Sequence, residues 1–151
     1  FEPDPSGGAD PSGFRLPAGT RLHTQPIGSV RCRYRTAYPV TLWPVTVTSA
    51  DWVLPPFPRD FQAPPGSAAA VRIVLELSQG ARFADLQLEK LRLFLNGDPQ
   101  LVADLYEALL NRSTRVVIRD PDATRDPNGD RRLTMNPKDC LSPVGFGLDE
   151  G

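Results

Sequence analysis

Alternation of apolar and polar residues along short segments is the clearest pattern in the sequence. Since successive side chains of a strand point to opposite faces, each such segment is predicted to form a strand with one face toward a core. The predicted strands span residues 30–36, 71–77, 91–95 and 115–119. In the first of these, Val30, Cys32 and Tyr34 are expected to face inward, which makes it a half-buried strand.

A β-branched and aromatic run over residues 41–53 predicts another strand. Pro44 lies inside this run and lacks a backbone donor, so the strand is expected to bend there. The next segment, residues 54–65, contains five prolines and is predicted to be a long irregular crossover. Phe57 and Phe61 in this crossover are expected to anchor it to the core.

One helix is predicted, over about residues 98–111. Asp98 can accept hydrogen bonds from unpaired amides, and Pro99 suits the first helical position. The apolar face is expected to consist of Leu101, Leu105, Ala108 and Leu109, with Val102 and Tyr106 at its margin. Asn111 is predicted to terminate the helix.

These elements predict an α+β, mainly β, fold. We expect an antiparallel β-sandwich-like domain with one packed helix and long proline-rich loops. Residues 1–19 are predicted to be an extended arm rich in proline and glycine, without a regular element, and residues 20–151 a single β-rich domain. Residues 133–146 are expected to be extended and broken at Pro137 and Pro143.

Composition excludes several classes of protein. With 17 Lys and Arg against 18 Asp and Glu, the net charge of −1 provides no basic field for nucleic acid. No run of 18 apolar residues and no signal peptide are evident, which predicts a soluble, intracellular protein without membrane insertion. The chain begins at Phe1 rather than Met, so we expect a fragment of a longer chain.

The sequence offers little for catalysis or metal binding. His23 is the single histidine, so a triad or a histidine-based metal site is not expected, and no catalytic residue, metal or cofactor is predicted. Asp85 and Glu89 are predicted to be solvated, and Asp126–Asp130 to form a tight turn rather than a calcium loop. Cys32 and Cys140 are predicted to be buried as small apolar side chains, although a bridge between them remains open.

A protein interface is the remaining kind of site that the sequence suggests. Three arginines alternate along the predicted strand 30–36 and could hold an acidic surface, although alternation alone predicts a solvated face. Large aromatic side chains near the proline-rich segment could also be contacts, although core packing is their commoner role. The candidate interface residues are Arg31, Arg33, Arg35, Trp43, Trp52, Phe57 and Phe61.

Several stretches, which together span most of the chain, resemble sequences of one bacterial family. The matching stretches, in chain order, are Leu16–Leu22, Cys32–Val45, Leu91–Asp98 followed by Leu105–Leu110, and Asp139–Phe146. Together, and in this order, they resemble the TssF family, also called VasA or ImpG, of type VI secretion baseplates. The loop 120–130 departs from the family by being longer and more acidic than expected.

The resemblance implies a structural part of a contractile injection machine rather than an enzyme. TssF-like subunits assemble with TssG, TssE and TssK into wedges at the cytoplasmic face of the inner membrane, so these proteins are the implied partners. The family supplies no catalytic residues to look for in this chain. The residues by themselves leave one alternative, a carbohydrate- or ligand-binding β-sandwich module.

Overall fold

The computed structural model describes residues 13–26, 28–58, 61, 63–77, 81–120 and 132–145. Contacts divide the chain into two compact units. The first unit contains Phe1–Arg59, Ala68–Leu91 and Gly145–Gly151, and the second contains Asp60–Ser67 and Arg92–Val144. Each unit has its own small antiparallel sheets, which are described separately below.

The described part of the first unit contains three antiparallel two-stranded ribbons and a short 3-10 helix, Phe83–Asp85. In these ribbons β1 (Phe14–Leu16) pairs with β4 (Val40–Leu42), β2 (Arg21–His23) with β3 (Arg33–Arg35), and β5 (Val45–Val53) with β6 (Ala70–Leu77). The strand β1 lies within residues 1–19, so the expectation that this segment holds no regular element is wrong at Phe14–Leu16. Pairing with β4 supplies the backbone partners that the local sequence does not.

A network around Thr36 joins the first two ribbons. The Thr36 hydroxyl donates to the Pro17 carbonyl over 2.8 Å and accepts from the Thr20 amide over 3.0 Å. The Thr36 carbonyl accepts from the Gly19 amide over 2.8 Å. Gly19 has a φ of 80°, a conformation that glycine adopts without steric cost. This turn therefore directs the chain from β1 into β2.

The long ribbon of β5 and β6 has one apolar face and one face that mixes polar and apolar residues. Val45 and Val47 lie opposite Leu77 and Leu75, but the next apolar residues of β5, Ala50 and Trp52, fall on positions of the other parity. A bulge at Thr48 corrects this, because one extra residue rotates the following side chains back to the first face. Ala50 and Trp52 then lie opposite Ile73 and Val71, on the same apolar face.

The structure tests the strands predicted at 41–53, 71–77 and 91–95, the last of which belongs to the second unit from Arg92 onward. The strand predicted at 71–77 is confirmed by β6. The single bent strand predicted at 41–53 is instead two strands, β4 and β5, which are separated at Trp43 and Pro44 and pair with β1 and β6 respectively. The strand predicted at 91–95 is wrong, because residues 90–96 form no regular element. Phe94 is 89% exposed. An alternating segment becomes a strand only when another strand pairs with it, and none of the described strands does so here.

The second unit begins with the predicted helix. Helix α1 spans Pro99–Glu107 and continues as a π-helical segment, Ala108–Arg112. One Asp98 carboxylate oxygen, Oδ1, accepts from the Gln100 amide over 2.9 Å and from the Leu101 amide over 3.4 Å, as expected of an N-cap. The Leu101 side chain is exposed, whereas Val102, Leu105 and Leu109 are half-buried, so the inward face is rotated from the prediction. Asn111 lies inside the π-helical segment and does not end the helix.

A short ribbon and a second helix complete this unit. Strand β7 (Val116–Arg119) confirms the strand predicted at 115–119, and it pairs antiparallel with β8 (Arg132–Met135). Residues 133–146 are predicted to be extended with breaks at Pro137 and Pro143, but the stretch that follows the first break is helix α2 (Pro137–Cys140). The Asn136 side chain accepts from the Lys138 amide over 3.0 Å, so Asn136 and Pro137 start this helix as Asp98 and Pro99 start α1. The turn predicted at Asp126–Asp130 lies outside the described residues.

Burial in the described residues is shallow. Only Pro44 and Pro137 among them are buried, and none of their side chains is fully buried. The strand predicted at 30–36 is confirmed over Arg33–Arg35, in β3. Its predicted half-burial is wrong, because Val30 is 62% exposed, Tyr34 is 58% exposed and Cys32 is exposed. Strands in small antiparallel sheets with one main helix agree with an α+β, mainly β, class, whereas a sandwich is not confirmed.

Candidate protein interface

The ribbon of β2 and β3 collects basic side chains on one face. Arg21 lies directly opposite Arg35, and His23 directly opposite Arg33. Because directly opposed residues share a face and alternate residues of a strand do so as well, all four side chains lie on one side of the ribbon. Leu22 and Tyr34, which also face each other, lie on the opposite side. We call the first side the arginine face.

Backbone pairing brings these basic side chains particularly close. The Thr24 amide donates to the Cys32 carbonyl over 3.1 Å, and the Thr36 amide donates to the Thr20 carbonyl over 3.0 Å. Hydrogen-bonded and non-bonded pairs alternate along an antiparallel ladder, so the two basic pairs occupy the non-bonded positions. Opposed Cα atoms at such positions are about 4.5 Å apart, closer than at bonded positions.

Arg31 extends the arginine face beyond the strand. Together with His23, Pro26, Ser29 and Arg33, it lines an open depression with a volume of about 590 Å³. The depression has both polar and apolar walls and opens to solvent beside the ribbon. The structure therefore brings together the three arginines that alternate in the sequence and adds two basic residues, Arg21 and His23, from β2.

No described acidic side chain neutralises the arginine face. Elsewhere in the described residues arginines do form ion pairs, for example Arg72 with Asp51 at 2.9 Å and Arg112 with Glu107 at 2.7 Å. Within the described part of the chain, none of the arginines on this face takes part in an ion pair. Like charges at directly opposed positions destabilise a ribbon. The arrangement therefore works against the stability of the ribbon itself.

Sequence reasoning missed Arg21 and His23 because the signal around them is too short. The alternation Arg21, Leu22, His23 covers three residues, which is below the length at which a period of two can be recognised. What places them is the register of β2 against β3, a contact between segments about a dozen residues apart. A hairpin prediction from residues 21–35 would have found them.

The aromatic candidates lie in other places. Trp52 is 58% exposed on the apolar face of the β5 and β6 ribbon, next to Val71 on the opposite strand. Trp43 is half-buried between β4 and β5, within contact distance of Gly13. Phe57 and Phe61 are half-buried and belong to the first and second unit respectively. Trp52 is thus the most accessible of the four.

The apolar face around Trp52 is a second surface. Its members on β5 and β6 are Val45, Val47, Ala50, Trp52, Val71, Ile73, Leu75 and Leu77. Val47, Ala50, Trp52 and Ile73 are exposed, and the others are half-buried. The opposite face is mixed: it carries the Asp51–Arg72 ion pair and also Val53, Ala70 and Val74. Hydrogen bonds from Arg72 and Ser49 hold the pKa of Asp51 below its usual value of 3.8.

Residues considered for other chemistry are dispersed. Cys32 and Cys140 are free and exposed, so the prediction that they are buried is wrong, and no bridge joins them. The Cys140 thiol donates to the Asn136 carbonyl over 3.2 Å within helix α2. In the described residues no three side chains of His, Cys, Asp or Glu are grouped as a metal site would require. No helix among these residues has the length and apolar character needed to cross a membrane.

Comparison with known proteins places the chain in a family. The model of the type VI secretion system TssF family matches residues 1–151, the whole chain. The type VI secretion system component TssF1 of Pseudomonas aeruginosa is 38% identical over 153 aligned residues, which cover 95% of this chain and 25% of the relative. The chain thus spans about a quarter of the length of that curated relative. No solved structure matches the chain. The chain belongs to the TssF family of type VI secretion system components.

Proposed function

We propose that this chain is a structural element of a type VI secretion baseplate and that it works by binding other proteins. The observation that carries the proposal is the arginine face, on which exposed cations lie opposite one another without a described acidic partner. Such a face lowers the stability of its own ribbon. An external acidic surface would relieve the repulsion, so the arrangement suits assembly better than it suits the isolated fold.

The apolar face around Trp52 is the second surface to which we assign protein binding. Protein interfaces combine an apolar centre, where large aromatic side chains contribute most of the affinity, with polar groups that fix orientation. Trp52 offers such an anchor among aliphatic neighbours, and Arg31, Arg33 and Arg35 offer orienting charges. A carbohydrate site needs hydrogen-bonding groups around its aromatic ring. The side chains beside Trp52 on this face are aliphatic, which favours a protein contact over a glycan.

Membership of the TssF family supports the proposed partners and the proposed location of the chain. The partners are baseplate proteins similar to TssG, TssE and TssK, and the location is the cytoplasmic face of the bacterial inner membrane. A catalytic role finds little support, because His23 lies opposite an arginine rather than beside a carboxylate that could orient it as a base. The role is therefore one of scaffolding.

Co-purification tests this function. The full-length protein, tagged and expressed from its own locus, should retain a TssG-like protein at constant stoichiometry through size-exclusion chromatography. Replacing Trp52 with Ala should reduce that retention. Replacing Trp43, which is half-buried, with Ala tests fold integrity instead. Recovery of the tagged protein with no sheath or baseplate protein among its associates would refute the proposal.

A further inference from the structure

We propose that the β2 and β3 ribbon binds an extended acidic segment of a partner protein, which adds to the edge of β3 that no described strand covers. This inference rests on the proposed scaffolding function and specifies the chemistry of one contact. The segment would run alongside residues 31–35 with carboxylates at alternate positions. Its backbone would hydrogen-bond to β3, and its carboxylates would meet the arginine face.

The first support is the orientation of the backbone groups. In an antiparallel pair, residues at non-bonded positions direct their amide and carbonyl groups away from the neighbouring strand. Arg33 and Arg35 hold such positions, so their backbone groups point outward from β3. Among the described strands β3 pairs only with β2, and residues 28–35 are all exposed. Such an edge accepts an extended peptide by strand addition.

The second support is the match between spacing and charge. Alternate residues of an extended strand repeat every ~6.7 Å, which is also the spacing of alternate carboxylates on an added strand. Arg31, Arg33 and Arg35 could therefore each meet one carboxylate of the same segment. The side chain of arginine forms two parallel hydrogen bonds with a carboxylate, which lysine cannot do. The charged side chains of this face, Arg21, Arg31, Arg33 and Arg35, are all arginines.

A third observation separates a protein segment from nucleic acid. Single-stranded nucleic acid binds where aromatic rings accompany basic side chains, so that bases can stack. The aromatic residue of this ribbon, Tyr34, lies on the face opposite the arginines. The acidic ligand that fits this geometry is therefore one without bases to stack. The depression beside Arg31 and Arg33 leaves room for an additional polar side chain of the segment.

Short peptides test the proposal directly on the full-length protein. An octapeptide that alternates Glu and Thr, with both ends blocked, should bind with a Kd about tenfold lower than a block isomer with four Glu followed by four Thr; tenfold corresponds to about 1.4 kcal/mol. Methylation of the alternate peptide amides that face β3 should weaken binding to the same extent. Equal binding of the methylated peptide would overturn edge addition.

Variants of the arginines provide the matched comparison. The double substitution R33E and R35E should abolish binding of the alternating peptide, R33K and R35K should weaken it several-fold without loss of fold, and R115E, an exposed arginine outside the ribbon, should leave it unchanged. If an eight-nucleotide single strand binds more tightly than the alternating peptide at the same ionic strength, the ligand class is wrong. Baseplate co-purification that persists while the peptides fail to bind would reject this inference and leave the proposed function intact.

Discussion

Replacement of Arg21 by Glu separates what the arginine face does for the fold from what it does for binding. Arg21 lies directly opposite Arg35 at a non-bonded position, and diagonally opposite Arg33. A glutamate at this position converts a repulsive pair into an attractive one. If the arginines served the fold, this change would be harmful; if they serve a partner, it should stabilise the ribbon and weaken binding.

The magnitude follows from the geometry. A directly opposed pair of opposite charges contributes roughly 0.2–1 kcal/mol, and removal of a like-charged pair adds a similar amount. Both partners are exposed, so screening reduces the sum. We expect a local gain of about 0.5–1 kcal/mol, and the neutral variant Arg21→Gln should achieve about half of it.

Hydrogen exchange is the suitable assay because the effect is local. The amides of Thr24 and Thr36 donate across the ribbon, so their exchange reports its opening. A gain of this size should slow their exchange about two- to fivefold in Arg21→Glu at low ionic strength, and the difference should shrink in about 0.5 M salt, where the Debye length is only several ångströms. Faster exchange in Arg21→Glu than in the wild type would show that the opposed arginines do not repel each other. A difference in exchange rate that does not change with salt concentration would show the same.

Three further predictions concern stability. Gly13→Ala should destabilise the first unit more than Gly28→Ala does. Both residues have positive φ, but an added Cβ meets Thr41 Cγ2 at 2.8 Å only at Gly13, and this clash should cost about 1–3 kcal/mol. The urea unfolding midpoints of the two variants measure the difference, and equal midpoints would contradict the close approach of Thr41 to Gly13. Asp98→Ala should lower the stability of α1 by about 1 kcal/mol, since two amides lose their acceptor, whereas Asp98→Asn should retain most of that stability. Circular dichroism during thermal unfolding measures both variants. An unchanged melting curve for the alanine variant would argue against the cap. The Asp51–Arg72 contact should stabilise the protein at neutral pH and cease to do so in acid: the folded pKa of Asp51 lies below 3.8, so the contribution is present above 3.8 and is lost as pH falls through the lower, folded value. The stability difference between wild type and Asp51→Asn should therefore vanish in that acid range, and a difference independent of pH would disprove the linkage.

Local signals in the sequence predict the elements that are stabilised locally. Asp98 and Pro99 start a helix because capping depends on neighbours two and three residues away. The same logic applied to Asn136 and Pro137 predicts α2, which stays hidden when the proline is interpreted only as a break. Strand β6 follows from the alternation over residues 71–77.

Features that depend on contacts between distant segments could not be predicted in this way. The alternation of β5 changes parity between Val47 and Ala50, and only pairing with β6 shows that a bulge at Thr48 restores a common apolar face. The segment 91–95 alternates as well as β6 does, yet no described strand pairs with it. The burial predicted for Cys32 and Tyr34 is wrong because alternation identifies two faces but does not supply a layer to cover one of them.

Ligand binding and ordering of the ribbon should be coupled. Strands β2 and β3 contain three residues each, and an isolated hairpin of this length is marginal in water even without opposed charges. An acidic segment that binds only the paired form stabilises it by RT ln(1 + [L]/Kd), about 2.7 kcal/mol at a hundredfold excess over Kd. The exchange of the Thr24 and Thr36 amides should therefore slow in proportion to the concentration of the alternating Glu-Thr peptide. In Arg21→Glu the same titration should begin from slower exchange and respond less, because the substitution already supplies part of the missing negative charge. A response equal to that of the wild type would mean that the peptide does not act through the arginine face.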